Sequence, residues 1–254
     1  MATKGRTAKA AAEPGTSTAR GGGLAGTAVF LTGAFVVAYL FRTNPDPKSF
    51  EAYRLVNTGL CLWLPLLVIL FVLRAEPGQF GLTRGDWRLG QKWALIAWIA
   101  MLLPIAYYAQ RGGGQEYYLN GRLRADLAGT GPVFDGRHVY LQALVYYEMA
   151  MGFYMFCWEF FFRGFLLFGL QRTRLGTWGA VIVQALLFML LHWSWQKDAS
   201  KPLLEVLSAL PGGLILGIFA LRTRSFIYGY LIHWSVSLTL DLFLLAPFMF
   251  KHFG

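Results

Sequence analysis

The sequence predicts an all-α fold: a polytopic transmembrane helical bundle of about seven spans. Of its 254 residues, 56% are hydrophobic and only 14% are charged, against about a quarter charged in an ordinary soluble domain. Several apolar runs reach the roughly 20 residues that cross a bilayer. Inside one of these runs stand a carboxylate and a guanidinium, Glu159 and Arg163. Each costs at least about 2.5 kcal/mol at the centre of a membrane helix, and intramembrane charges are as a rule paired and functional.

Residues 1–23 are rich in Ala, Gly, Thr, Lys and Arg. They hold too little apolar surface to fold and are expected to be a disordered basic tail on the cytoplasmic side. The first span is predicted over residues 24–41, and the turn Asn44-Pro45-Asp46-Pro47 follows it. The second is predicted over 56–73, kinked at Pro65. Phe80 to Arg88 reads as an interfacial turn with Trp87 at headgroup level, and the third span is predicted over 93–108.

Residues 110–137 are the longest polar insertion, with Gly112-Gly113-Gly114 in it; the pattern fits a lid or a mobile loop. The fourth span is predicted over 138–170, long for one crossing. The fifth is predicted over 178–195, with Trp193 and Trp195 as an interfacial belt. The sixth covers 203–221 and is expected to break at Pro211-Gly212-Gly213. Gly213 and Gly217 form a small-xxx-small pair suited to close helix approach. The seventh covers 227–245. The chain thus divides into the tail 1–23, spans one to three with the polar loop over 24–137, and a core of spans four to seven over 138–254.

The net charge of +10 does not point to nucleic acid, because the basic residues lie in the tail and in short loops, where Lys and Arg anchor helices. The partners expected are the lipid bilayer and a membrane-associated protein or peptide. A multi-pass protein follows, placed in the inner membrane if the source is a bacterium. Lys and Arg only slightly favour a cytoplasmic N-terminus. Cys61 and Cys157 both lie in apolar runs and read as core residues.

Two later spans each bring a histidine, His192 and His233. Glu159 is twelve residues before Gln171, roughly 18 Å along the helix. His192 and His233 lie roughly 21 and 12 Å from the same side, so three ionisable groups share a depth near the midplane. Polar residues recur every fourth position, as Gln184 and His192 around Phe188, and as His233, Ser237 and Asp241. Glu148 shares the stripe of Glu159 three turns earlier. A carboxylate and two imidazoles can activate a water and stabilise the oxyanion formed at a peptide carbonyl. The same trio is compatible with a divalent metal such as zinc, although hydrolysis does not require one and no HExxH is present.

These residues resemble the CPBP family of glutamic-type intramembrane proteases, which includes the type II CAAX prenyl endopeptidases and bacterial bacteriocin-processing relatives. The family motif E-E-x-x-x-R, ending F-R-G, is matched by Trp158-Glu159-Phe160-Phe161-Phe162-Arg163-Gly164 except at the first Glu. The F-x-x-x-H motif is met by Phe188 and His192. The H-x-x-x-N/D motif is met by His233, with Ser237 at its last position. The resemblance covers residues 141–245 and implies catalytic roles for Glu159, His192 and His233, supported by Arg163, Phe188, Ser237 and Asp241. In the family the first Glu activates water; here that position is Trp158. Either Glu159 serves as base, or the chain is a catalytically silent pseudoprotease scaffold that binds a membrane partner. A proton-coupled transporter is a third reading, opposed by the lack of an internal repeat.

Overall fold

The computed structural model describes residues 17–44, 50–110, 115–125, 131–193 and 203–249. The tail before residue 17, the turn 45–47, the run 112–114 and Trp195 lie outside the described residues. Among the described residues the fold is helical, with one isolated antiparallel bridge between Phe134 and Val139.

Helix α1 is Ser17–Thr43, so it takes in the last seven residues of the expected tail. Helix α2 starts as Phe50–Thr58 and runs on through π-helical Gly59–Trp63, α-helical Leu64–Leu67 and π-helical Val68–Val72. The wider turns on both sides accommodate Pro65, which cannot donate to the preceding turn. Helix α3 is Trp87–Ala109. It takes in Trp87 and Arg88, which the sequence reading left in a turn, because Asp86 caps it by accepting from the Leu89 N–H at 3.1 Å. Helix α4 is Leu141–Glu159, continued by a π-helical turn Phe160–Leu166 and by Leu167–Leu170. Helices α5 (Gly176–His192), α6 (Leu203–Thr223) and α7 (Ile227–Met249) complete the bundle.

Six of these runs are long and apolar enough to cross a membrane, and α5 is a shorter apolar helix of 17 residues. The expected break in α6 is absent: Pro211 sits inside a continuous helix. Its ring removes one backbone bond, and the rest of the ladder persists.

Helix α4 is the pillar. Its most apolar window is 83% buried, whereas that of α3 is 11% buried. The outer helices keep large apolar side chains exposed, among them Phe30, Leu31 and Phe35 on α1 and Ile96, Ile99 and Leu103 on α3. Such faces suit lipid. Helices α5 and α6 pack at the small residues the sequence singled out. A Cβ on Gly213 would lie 3.0 Å from the Ala185 Cα, and one on Gly217 would lie 2.6 Å from Gln184 Nε2. Gln184 donates across this seam to the Gly213 carbonyl at 2.8 Å. Cys61 and Cys157 are free and buried, as expected.

At one end of the bundle the loop after α2 is stitched to the α6–α7 turn. Asp86 N–H donates to the Thr223 carbonyl at 2.8 Å, and Phe226 N–H to the Gly81 carbonyl at 3.3 Å. The Ser225 hydroxyl donates to the Thr83 carbonyl, and the Tyr228 hydroxyl to the Arg84 carbonyl at 2.7 Å. Gly85, at φ +51°, has no room for a side chain, since its Cβ would stand 2.0 Å from the Thr223 carbonyl oxygen. At the other end the described part of the insertion is folded: π-helical Gln115–Arg122 packs on α7, and Leu123 and Phe134 are buried.

The α5–α6 seam yields a contrast. Gly213→Leu should destabilise the protein by about 1–3 kcal/mol through overpacking. Gly212→Leu, where a Cβ meets nothing within 4 Å, should leave the thermal midpoint in nanodiscs nearly unchanged.

Candidate active site

Glu159 closes the α-helical part of α4, and the π-helical turn begins at the next residue. Such turns recur at functional sites because they re-aim side chains. Glu159 and Arg163 are both fully buried, with Arg163 Nη1 3.2 Å from Glu159 Oε1. The same oxygen takes a hydrogen bond from His233 Nδ1 at 2.9 Å. A carboxylate only accepts, so Nδ1 carries the hydrogen and the neutral ring presents Nε2 as an acceptor. The His233 side chain is 28% exposed, so it extends this buried pair outward. Oε2 of Glu159 accepts no hydrogen bond among the described residues.

Two glycines border this centre. A Cβ on Gly229 of α7 would make ordinary contact with Glu159 Oε2 at 3.5 Å. One on Gly164 would press at 2.9 Å on both the Phe160 ring and the Phe80 carbonyl. The F-R-G ending of the motif is thus a packing requirement: the loop carrying Phe80 rests on α4 there.

Phe188 organises the other side. Its ring lies under the Arg163 guanidinium at 3.9 Å and beside the His192 ring at 4.3 Å. It also meets His233 edge-on at 6.1 Å. His192 Nδ1 donates to the Phe188 carbonyl at 2.9 Å, which again leaves Nε2 as acceptor in the neutral ring. The structure therefore brings Glu159, Arg163, His233 and Phe188 together, and His192 joins them through aromatic rings. Among the described residues no three His, Cys, Asp or Glu side chains could hold a metal ion. The Glu159–His192–His233 trio forms no such group among the described residues.

Trp158, at the position of the family's first Glu, is buried. Its indole stands edge-on to His192 at 5.9 Å, and its Nε1 donates to Asn57 Oδ1 at 3.2 Å. Asn57, fully buried on α2, also donates to the Tyr53 carbonyl at 2.8 Å. Sequence reasoning passed over Asn57, although a lone amide in an apolar run was a signal. Ser237 is half-buried one turn beyond His233. Asp241, one of the expected supporting residues, is fully buried and accepts from Arg122 Nη2 at 2.8 and 3.2 Å. The insertion supplies that partner from 119 residues away, which spacing along one helix could not reveal.

Residues 140–239 match the family model of the Type II CAAX prenyl endopeptidase Rce1-like proteins. The matched segment holds all three motifs, so the resemblance read from them is borne out there. No curated protein and no solved structure matches the chain. The matched segment is similar to membrane peptidases of the CAAX type, and the six long apolar helices make the chain a multi-pass membrane protein.

The buried pair is open to measurement. Arg163→Met, which leaves Glu159 without its cation, should cost about 3–5 kcal/mol. The double variant Glu159→Gln with Arg163→Met should recover most of that loss in thermal unfolding.

Proposed function

We propose that this protein is an intramembrane endopeptidase that cuts a membrane-associated protein near its C-terminus or its anchor. The observation that carries the reading is the Glu159–His233 hydrogen bond inside a segment similar to CAAX-type peptidases. A carboxylate that accepts from one ring nitrogen fixes the tautomer and leaves the other nitrogen as the acceptor. The pair thus forms one proton-accepting unit, with His233 Nε2 on its more accessible side. It takes a proton from water as the oxygen attacks the peptide carbonyl, and the same proton then passes to the leaving amine. His192 Nε2 orients the water. Arg163 pairs with Glu159 and has no contact with substrate.

A farnesylated CAAX peptide in proteoliposomes, followed by mass spectrometry, tests this. The parent should release the C-terminal fragment. Glu159→Gln, His233→Ala and His192→Ala should each slow release at least about 100-fold. Unchanged turnover in Glu159→Gln would reject the assignment.

A second reading has one observation in its favour. The Trp158 indole fills the position of the family's first carboxylate and is tied to Asn57. That arrangement suits a scaffold that holds a membrane partner without hydrolysis. An inert parent that gains cleavage on Trp158→Glu would support it; a parent that cleaves and is silenced by Trp158→Glu would exclude it.

A further inference from the structure

Helices α4 and α7 face each other along three turns of α4 from the candidate site. Glu148, Gly152 and Glu159 share one face of α4. Opposite them on α7 stand Asp241, Trp234 and His233. At one end is the Glu159–His233 bond. In the middle the Trp234 indole lies over Gly152, where a Cβ would stand 2.7 Å from Cε2. At the other end Arg122 of the insertion pairs with Asp241, and its guanidinium stacks on Tyr118 at 4.6 Å and on Tyr147 at 5.6 Å.

Glu148 is the residue this seam leaves unmet. It is 7% exposed, its polar neighbours are Asp241, Arg122 and Trp234, and neither of its oxygens takes a hydrogen bond among the described residues. The Tyr147 hydroxyl, Trp234 Nε1 and Arg122 Nε are buried and unbonded as well. These unbonded atoms are thus gathered in one place beside the Arg122–Asp241 pair. Each unmet group costs about 1–3 kcal/mol, and a water with two to four such partners removes that cost. The Arg122 side chain is 19% exposed, which gives the cluster an opening at the insertion. Glu148 and Glu159 are eleven residues apart, roughly 16 Å along the helix.

We propose that the α4–α7 seam from Arg122 to Trp234 is a buried water site that supplies the Glu159–His233 pair, with the Trp234 indole as the partition between them. Its role as a supply rests on the peptidase reading; the presence of water does not.

Radiolytic hydroxyl labelling of the full chain in nanodiscs reads bound water directly. After correction for intrinsic reactivity, Tyr147 should label several-fold faster than Phe161 and Phe165, which are equally buried away from the seam. Glu148→Leu should remove that excess and slow peptide cleavage about tenfold without changing KM. Glu148→Gln, which still bonds water, should keep both and serves where the Leu variant does not fold. Tyr147 labelling no faster than the two phenylalanines overturns the proposal, and so does unchanged cleavage in a Glu148→Leu protein that has lost the excess. Fast Tyr147 labelling in a parent that never cleaves upholds the water site and removes the peptidase reading instead.

Discussion

A single oxygen, Oε1 of Glu159, receives both Arg163 and His233, and the bundle is arranged around the need to satisfy it. Desolvating two opposite charges costs several kcal/mol per ion, and their attraction offsets this only with good geometry and added hydrogen bonds. Here the additions come from two other helices: the imidazole from α7, and the Phe188 ring from α5 under the guanidinium. Neither can move without exposing a charge to an apolar interior. This accounts for the almost complete enclosure of α4 and for the glycines where α7 and the Phe80 loop come close.

The helical widening just after Glu159 fits the same need. A regular α-helix would hold Arg163 directly above Glu159 on one face, and the wider turn shifts the residues beyond it. Trp158 and Glu159, adjacent in sequence and about 100° apart around the helix, face different neighbours. The indole looks toward His192 and the amide of Asn57, whereas the carboxylate looks toward His233. The substitution at position 158 therefore changes the wall beside His192 and leaves the ion pair intact.

Much of this was legible in the sequence. Seven apolar runs gave the helices, and a charged pair four residues apart gave the ion pair, because both signals are local. The Gly213–Gly217 pair announced the α5–α6 seam for the same reason. Helix starts were read late at Trp87, where an aspartate cap outweighed the interfacial look of the tryptophan, and Pro211 proved compatible with a continuous helix. What stayed hidden was distant pairing: Asp241 with Arg122, and Trp158 with Asn57. Each depends on loop closure across more than a hundred residues, about which the period of one helix carries no information.

The loop before α3 has a consequence of its own. Its backbone from Gly81 to Asp86 both accepts from and donates to the turn between α6 and α7, and that turn lies inside the family-matched segment. The family-matched segment is thus not a detachable cassette. A chimera that grafts residues 140–239 onto foreign leading spans would strand these backbone groups at the rim of the bundle, unless it carried the Gly81–Asp86 hexapeptide with it. Recombination between distant relatives should therefore succeed only at crossover points that keep the two pieces together.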